Sequence, residues 1–128
     1  MKIEHIAILT SDLDRIRDFY QTFFTMQCGE KYVNSKKGFS SYFLSFESGA
    51  RLEIMEKTDI SDGNDKKGEV NGYADIAISV GSKEDVDKLT NRLRVNGFEI
   101  VGEPRTTGDG YFESVILDPE GNHIEITE

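Results

Sequence analysis

Cysteine, proline and tryptophan are scarce in this chain. Its 128 residues include one cysteine, two prolines and no tryptophan. Because Cys28 is alone, an intrachain disulfide is excluded, and so are the small secreted scaffolds that depend on disulfides. The composition agrees with a reducing compartment.

Positive charge is also in short supply. The 15 Lys and Arg are outnumbered by 24 Asp and Glu, which gives a net charge of −9. An acidic surface repels phosphate backbones and anionic lipids, so we expect neither nucleic acid nor a membrane as a partner. No apolar run approaches the roughly 18 residues of a membrane span. The first residues read as a strand, with a charge and a histidine where a signal peptide has an unbroken apolar run. We therefore expect a cytoplasmic protein.

The chain nevertheless has enough apolar material for a core of its own. Hydrophobic residues make up 37% of it, including eight Phe and five Tyr. A chain of this length buries roughly two-thirds of the surface that it exposes when unfolded. The sequence therefore predicts one compact domain, or two half-size modules that share a core.

Two short blocks recur in the same order along the chain. Residues 5–8 (HIAI) are matched by residues 75–78 (DIAI), at an offset of 70. Residues 48–54 (SGARLEI) are matched by residues 120–126 (EGNHIEI), at an offset of 72. Two ordered matches at nearly equal offsets indicate an internal duplication.

Each half reads as the same succession of elements, β-α-β-β-β. We predict an α+β fold in which residues 1–128 form a single domain made of two βαβββ modules with curved mixed sheets. The modules cover about residues 1–57 and 71–128. The polar segment at about 58–70 is the predicted linker.

The boundaries of the elements follow from periodicity, caps and turn residues. The first module is predicted to have a helix capped by Ser11 at about 12–26 and strands at about 2–9, 28–33, 39–46 and 50–57. The second is predicted to have a helix that Ser82 opens and Gly97 closes, and strands at about 73–80, 98–102, 111–117 and 122–127. Glycine-containing turns at 47–49 and 118–122 are predicted to close the last hairpin of each module.

Four polar side chains occupy equivalent strand positions in the two modules. His5 and Asp75 lie on the first strands, and Glu53 and Glu125 lie on the last strands between apolar neighbours. Imidazole nitrogen and carboxylate oxygen together suit divalent ions such as Ni²⁺, Zn²⁺, Co²⁺, Fe²⁺ and Mn²⁺. Because these side chains come from separate strands, such a site can keep positions open for water or substrate.

These motifs resemble those of the vicinal oxygen chelate superfamily and, within it, glyoxalase I. The resemblance covers essentially the whole chain. It is carried by the first-strand motif at residues 5–8, the Arg/His-Leu/Ile-Glu-Ile motif at 51–54 and 123–126, and the segment 107–111 (TGDGY) that leads to 118–122 (DPEGN). It implies the glyoxalase/bleomycin resistance/dioxygenase fold and a homodimer.

The resemblance also implies a reaction. A glyoxalase I-like lyase converts the hemithioacetal of a 2-oxoaldehyde and a thiol, usually glutathione, into a 2-hydroxyacyl thioester. The implied metal ligands are His5, Glu53, Asp75 and Glu125. The implied catalytic carboxylates are Glu125 and, on the opposite side of the substrate, Glu53, since a carboxylate within hydrogen-bond reach can shuttle the proton. The divalent metal would stabilise the charge that develops on the vicinal oxygens.

One of these positions departs from the family pattern. Asp75 stands where the family usually has histidine, and an Asp carboxylate reaches about 2 Å less far from its Cα than a His Nε2. Asp75 can therefore ligate after a shift of backbone or metal, or through a bridging water. His123, on the strand face of Glu125, is an alternative imidazole. The cationic residues available to bind the carboxylates of glutathione are Lys36, Lys37, Arg51 and Arg105.

Two other functions of the same fold stay open. One is thiol transfer to an epoxide antibiotic, or ring-cleaving dioxygenation, in relatives that typically use two histidines and one glutamate. The other is small-molecule binding without catalysis, as in drug-sequestering members of the superfamily, and the departure at Asp75 favours it. The sequence also leaves open whether the sites form within one chain or between two.

Overall fold

The computed structural model describes residues 4–36, 38–58, 75–108 and 110–128. The chain divides into two units, Met1–Gly63 and Asn64–Glu128. Most of the predicted linker at 58–70 lies outside the described residues. Neither of the helices in the described ranges combines the length and the apolar character that crossing a membrane requires.

The described part of the first unit forms one mixed sheet with a helix. Its elements are β1 His5–Leu9, α1 Leu13–Phe24, β2 Gln27–Cys28, β3 Tyr32–Asn34, β4 Phe39–Ser45 and β5 Arg51–Lys57. The strand order is β1-β5-β4-β2, and β3 also pairs with β4. β1 runs parallel to β5, while the other pairs are antiparallel. The first and last strands of the unit are therefore neighbours.

Helix α1 packs on β4 and β5 through one apolar stripe. Its buried side chains recur at three- and four-residue spacing and are Leu13, Ile16, Phe19, Tyr20 and Phe24. The predicted cap was wrong by one residue, because Asp12 rather than Ser11 accepts the backbone N–H of Arg15. Both Ser and Asp are good N-caps, but a carboxylate also meets the positive end of the helix dipole.

The described part of the second unit repeats this arrangement. Its elements are β6 Ile76–Ser79, α2 Lys83–Val95, β7 Ile100–Thr106, β8 Phe112–Leu117 and β9 His123–Thr127. The strand order is β6-β9-β8-β7, with β6 parallel to β9. The predicted caps of α2 are confirmed: Ser82 accepts the N–H of Asp85, and Gly97 takes a φ of 85° after the last turn. The α+β prediction with mixed sheets is confirmed.

The strand starts predicted at about residues 2 and 73 lie outside the described residues, and β1 and β6 begin at His5 and Ile76. Two other predicted strands also differ from the observed ones. The strand expected at 28–33 is divided into β2 and β3. The strand expected at 98–102 begins at Ile100, because Phe98 still donates its N–H to the carbonyl of Leu93 at the end of α2. β7 then continues to Thr106 past Pro104, with register shifts against β8. Proline is tolerated there because β7 is an edge strand of the sheet.

The same cross-strand register occurs in both units. Ala7 lies opposite Glu53 in the parallel pair β1–β5, and Ala77 lies opposite Glu125 in the parallel pair β6–β9. Each glutamate has buried apolar residues on both sides along its strand, and they are Leu52, Ile54, Ile124 and Ile126. Both sheets therefore carry a glutamate at the same position of the last strand.

Candidate metal centre

Glu53 points to the face of the first sheet that is turned away from α1. Tyr42 marks the helix side, because its hydroxyl accepts a hydrogen bond from Arg17 of α1 at 2.9 Å. Tyr42 lies opposite Ile54, whereas Phe43 lies opposite Glu53. Since strand side chains alternate, Phe43 and Glu53 share the other face, which we call the helix-distal face.

His5 and Glu53 meet on this face. His5 Nε2 lies 3.7 Å from Glu53 Oε2, and their side chains are 40% and 15% exposed. A transition metal stands about 2.0–2.2 Å from an imidazole nitrogen or a carboxylate oxygen, so one ion can contact both atoms at this separation. The two residues therefore fit two ligands of one divalent ion.

The other ring nitrogen of His5 contacts a carboxylate. His5 Nδ1 lies 2.5 Å from Glu4 Oε2. The second oxygen of Glu4 accepts hydrogen bonds from Nε of Arg51, at 2.9 Å, and from its Nη2. Hydrogen bonding with His5, and then with Arg51, holds the pKa of Glu4 below its ordinary value. Glu4 is therefore a carboxylate that links Arg51 to His5.

Phe43 completes the surroundings of His5. Its ring meets the imidazole edge to face, with the centroids 5.5 Å apart. The guanidinium carbon of Arg51 lies 3.9 Å from the centroid of the same ring, which is a cation–π contact. Both Arg51 and His5 are thus in contact with one aromatic ring.

In the second unit, Ser114 marks the helix side of the sheet. Its hydroxyl lies 2.6 Å from that of Thr90 in α2, so the neighbouring Glu113 and Val115 point to the helix-distal face. Val115 lies opposite Glu125, which places Glu125 on this face too. Asp75 directly precedes β6 and is exposed.

A concavity of about 540 Å³ lies on the second unit, and its lining residues are Val101, Gly102, Glu103, Pro104, Arg105, Val115 and His123. Val115 connects it to Glu125 across the sheet. Arg105 Nη2 lies 3.1 Å from Oε1 of Glu113, whose side chain is 11% exposed. The concavity therefore combines apolar walls with one cation that already has a partner.

The sequence profile of the Glyoxalase/Bleomycin resistance protein/Dioxygenase superfamily matches residues 2–126. The chain belongs to this superfamily. A lactoylglutathione lyase from Haemophilus influenzae is 29% identical over an alignment of 129 positions, which covers 100% of this chain and 93% of the relative. The resemblance to the vicinal oxygen chelate superfamily is thereby confirmed.

Solved structures of superfamily members show the same fold. The trypanothione-dependent glyoxalase I of Leishmania major is 24% identical, has a TM-score of 0.81, and is matched over 100% of this chain and 86% of its own. Glyoxalase I of Zea mays is 23% identical, has a TM-score of 0.80, and is matched over 98% of this chain. The chain spans only 44% of the maize protein.

The structure brings together two of the four predicted metal ligands. His5 and Glu53 are neighbours, while Asp75 and Glu125 belong to the second unit. Over the described ranges, no group of three or more His, Cys, Asp or Glu residues is arranged to hold a metal ion. The four-ligand site stays a prediction, as does the alternative role of His123.

Two of the four cationic residues considered for binding the carboxylates of a thiol already have acidic partners. Arg51 pairs with Glu4, Arg105 pairs with Glu113, and Lys36 is exposed. Lys37 lies outside the described residues. Sequence reasoning missed Glu4 and Glu113, although alternation in the strand at 111–117 places Glu113 on the face of Val115.

Proposed function

We propose that this chain is a metal-dependent lyase of the glyoxalase I type, which converts a 2-oxoaldehyde–thiol hemithioacetal into a 2-hydroxyacyl thioester. The observation that carries this proposal is the approach of His5 Nε2 to Glu53 Oε2, at 3.7 Å. The similarity to a lactoylglutathione lyase over the whole chain supports the class of substrate.

The proposed metal ligands are His5, Glu53, Asp75 and Glu125. One imidazole with three carboxylates suits a divalent transition metal among Ni, Zn, Co, Fe and Mn, and provides no thiolate for softer ions. When bound, the metal would act as a Lewis acid toward the two vicinal oxygens of the substrate. Asp75 reaches less far than histidine, so its bond to the ion is proposed to be direct after a small shift, or mediated by water.

The reaction moves the carbon-bound proton of the hemithioacetal to the neighbouring carbon and its hydroxyl proton to the neighbouring oxygen. The C–H bond of the hemithioacetal carbon breaks and its electron pair forms a double bond to the adjacent carbonyl carbon. The π pair of that carbonyl moves to its oxygen at the same time. The proton is then delivered to that second carbon. The hydroxyl proton of the hemithioacetal passes to the former carbonyl oxygen, and the oxygen that it leaves becomes the carbonyl of the thioester. The sulfur-bearing carbon is oxidised to a thioester and its neighbour is reduced to an alcohol, so no external oxidant is needed.

We assign this proton transfer to Glu125. A carboxylate within hydrogen-bond reach of the substrate C–H can accept the proton and return it. Glu53 lies close enough to His5 for one ion to contact both side chains, which favours a ligand role for Glu53. Glu53 remains the second candidate for the proton transfer, from the other side of the substrate.

The experiment starts from protein purified without a chelator. Elemental analysis gives its metal content, and the metal-free protein is then assayed for thioester formation from the methylglyoxal hemithioacetal with added Ni²⁺, Co²⁺ or Zn²⁺. Glutathione and several other small thiols are compared in the same assay. Absence of metal-dependent thioester formation with every thiol would refute the proposal.

A second candidate function is binding of a small organic molecule without catalysis. It is favoured by Asp75, which replaces the usual histidine, and by the concavity with apolar walls beside Val115 and His123. Elemental analysis separates the two functions. Metal-free protein that retains an organic ligand through purification supports binding, whereas a stoichiometric transition metal supports the lyase.

We also propose that the chain acts as a cytoplasmic homodimer. Each sheet has edge strands, such as β7. The outer backbone groups of an edge strand can pair with another chain unless another part of the protein covers them. A second copy can provide that cover with the same surface, as two-fold symmetry requires. Sedimentation equilibrium of the purified protein tests the dimer, because a monomer mass at all concentrations contradicts it. Cell fractionation tests the location.

A further inference from the structure

Glu4, His5, Arg51 and Phe43 form a closed ring of contacts in the first unit. Glu4 touches His5 and Arg51, Arg51 lies over Phe43, and Phe43 meets His5 edge to face. The backbone supports this ring, because the N–H of Arg51 donates to the carbonyl oxygen of Glu4 at 3.0 Å. The side chains of residues 4 and 51 are therefore aligned by the pairing of their strands.

The contact with Glu4 determines which nitrogen of His5 carries the proton. A carboxylate only accepts hydrogen bonds, so Nδ1 of a neutral His5 must be the protonated nitrogen. Its Nε2 then has the free lone pair, and this atom faces Glu53. A histidine that binds a metal commonly donates its other N–H to a carboxylate, which fixes the ring and makes the ligand more basic.

We infer that Glu4 is a positioning residue for His5 and that Arg51 holds Glu4 in place. This inference rests on the proposed metal function of His5 and Glu53. Glu4 fixes the tautomer and the ring plane with which His5 Nε2 meets the ion. Arg51 holds Glu4 through its paired N–H donors, and it is itself held against Phe43.

The second half of the chain gives an independent argument. At the offset of 70, the sequence has Ala74 where the first half has Glu4, and at the offset of 72 it has His123 where the first half has Arg51. An alanine side chain accepts no hydrogen bond. In the sequence, the carboxylate and the arginine thus accompany His5, which has a tautomer to fix, and the equivalent positions of the second half, which has Asp75 in place of His5, hold neither.

Stability alone does not account for these residues. The side chains of Glu4 and Arg51 are 57% and 41% exposed, and ion pairs at such exposed positions contribute little to folding. Replacing Glu4 is therefore expected to leave the thermal unfolding temperature almost unchanged. An effect on metal binding without an effect on stability is the signature of positioning.

The first measurement is made on metal-free protein and needs no activity. Long-range ¹H–¹⁵N NMR spectra at mildly alkaline pH report the tautomer of each imidazole. The chain has two histidines, so His123 serves as an internal control. We expect His5 to carry its proton on Nδ1 in the native protein and to shift toward the Nε2–H form in Glu4→Ala, with His123 unchanged.

The second measurement is the affinity for Ni²⁺ or Zn²⁺, determined by competition with a chromophoric chelator. Glu4→Ala is expected to weaken binding about 10- to 100-fold. Glu4→Gln, which can still accept a hydrogen bond, is expected to fall between it and the native protein, and Arg51→Lys to lose less than Arg51→Met. Glu47→Gln, an exposed carboxylate in the β4–β5 turn, is the matched control and should bind normally.

The outcomes separate this inference from the proposed function. If Glu4→Ala leaves both the His5 tautomer and the metal affinity unchanged, the positioning role is overturned. If the native protein binds no metal, the proposed lyase and the metal-binding part of this inference are both overturned. In that case the tautomer of His5 still decides whether Glu4 orients the imidazole.

Discussion

Arg105 and Glu113 form an ion pair on the helix-distal face of the second sheet, with 3.1 Å between Nη2 and Oε1. The carboxylate is 11% exposed, whereas the arginine side chain is 51% exposed. The residues lie opposite each other on β7 and β8. The pair therefore holds an almost buried charge against an edge strand.

Removing the arginine should destabilise the protein through the charge that is left behind. We expect Arg105→Met to lower the free energy of unfolding by about 1–2 kcal/mol in urea titrations, because Glu113 loses its partner while the exposed arginine itself contributes little. Arg105→Met combined with Glu113→Gln should recover most of this loss. The control, Lys88→Met, breaks an exposed ion pair in α2 and should have little effect. Additive losses in the double variant would contradict the assignment.

The single cysteine is predicted to react slowly. Burial raises the pKa of the Cys28 thiol, whose Sγ–H donates to the carbonyl of Gly29 at 3.3 Å. Because the thiolate is the reactive form, a raised pKa leaves less of it at any pH below that value. We expect modification by a chromogenic disulfide to be slower in native than in urea-unfolded protein, and its pH profile to move to higher pH. Equal modification rates in native and unfolded protein, or a pH profile shifted to lower pH, would show that burial does not raise the pKa of this thiol.

The raised pKa of Cys28 also makes the free energy of unfolding depend on pH in the alkaline range. The folded state retains the proton of Cys28 to higher pH than the unfolded state does. Its contribution is therefore fully present below the unfolded pKa and is lost as the pH rises through the folded pKa. Comparing native protein with Cys28→Ser across alkaline pH measures this contribution, which should vanish in the variant.

Glu53 and Glu125 are expected to differ when each is replaced by glutamine. Glu53→Gln should weaken metal binding and activity together, because Glu53 faces His5. Glu125→Gln should lower kcat about 100- to 10,000-fold, as loss of a general base does, with a smaller loss of metal affinity. Glu56→Gln, on the same strand as Glu53 but on the alternate face, is the control. Equal effects of both variants on metal affinity would contradict the division of roles.

The fold was predictable because two of its features can be read directly from the order of the residues. They are the alternation of polar and apolar residues in the strands and the duplication of the strand motifs. These features placed Glu53 and Glu125 at equivalent strand positions, on the face opposite to their apolar neighbours. The parallel pairing of first with last strands came only from the structure. The cap of α1 was wrong because Ser11 and Asp12 are both good caps and differ by one position. The contact between Glu4 and Arg51 was missed because the two residues are 47 positions apart, and only the register of β1 against β5 brings them together.

The complete ligand set could not be predicted in the same way. Alternation determines the face of a strand on which Asp75 lies, but not whether its short carboxylate reaches an ion bound by His5.

The effect of side-chain length at position 75 can be tested directly by mutation. We expect Asp75→His to raise the affinity for Zn²⁺ or Ni²⁺ about 10-fold or more, since it restores an imidazole where the carboxylate falls about 2 Å short. Equilibrium dialysis of the metal-free proteins measures the change, and Asp87→His on the exposed side of α2 is the control. Unchanged affinity would remove position 75 from the site.

Mixing of two inactive variants tests whether a site uses one chain or two. Each unit carries half of the proposed ligands, so His5→Ala damages one half-site and Glu125→Gln the other. We expect sites between chains of the homodimer. A mixed dimer would then have one site built from two undamaged halves. After unfolding together and refolding, half of the dimers are mixed, so about a quarter of the native activity should return. Each variant refolded alone is the control. If the mixture is as inactive as its components, every site lies within one chain, because neither chain then has an undamaged set.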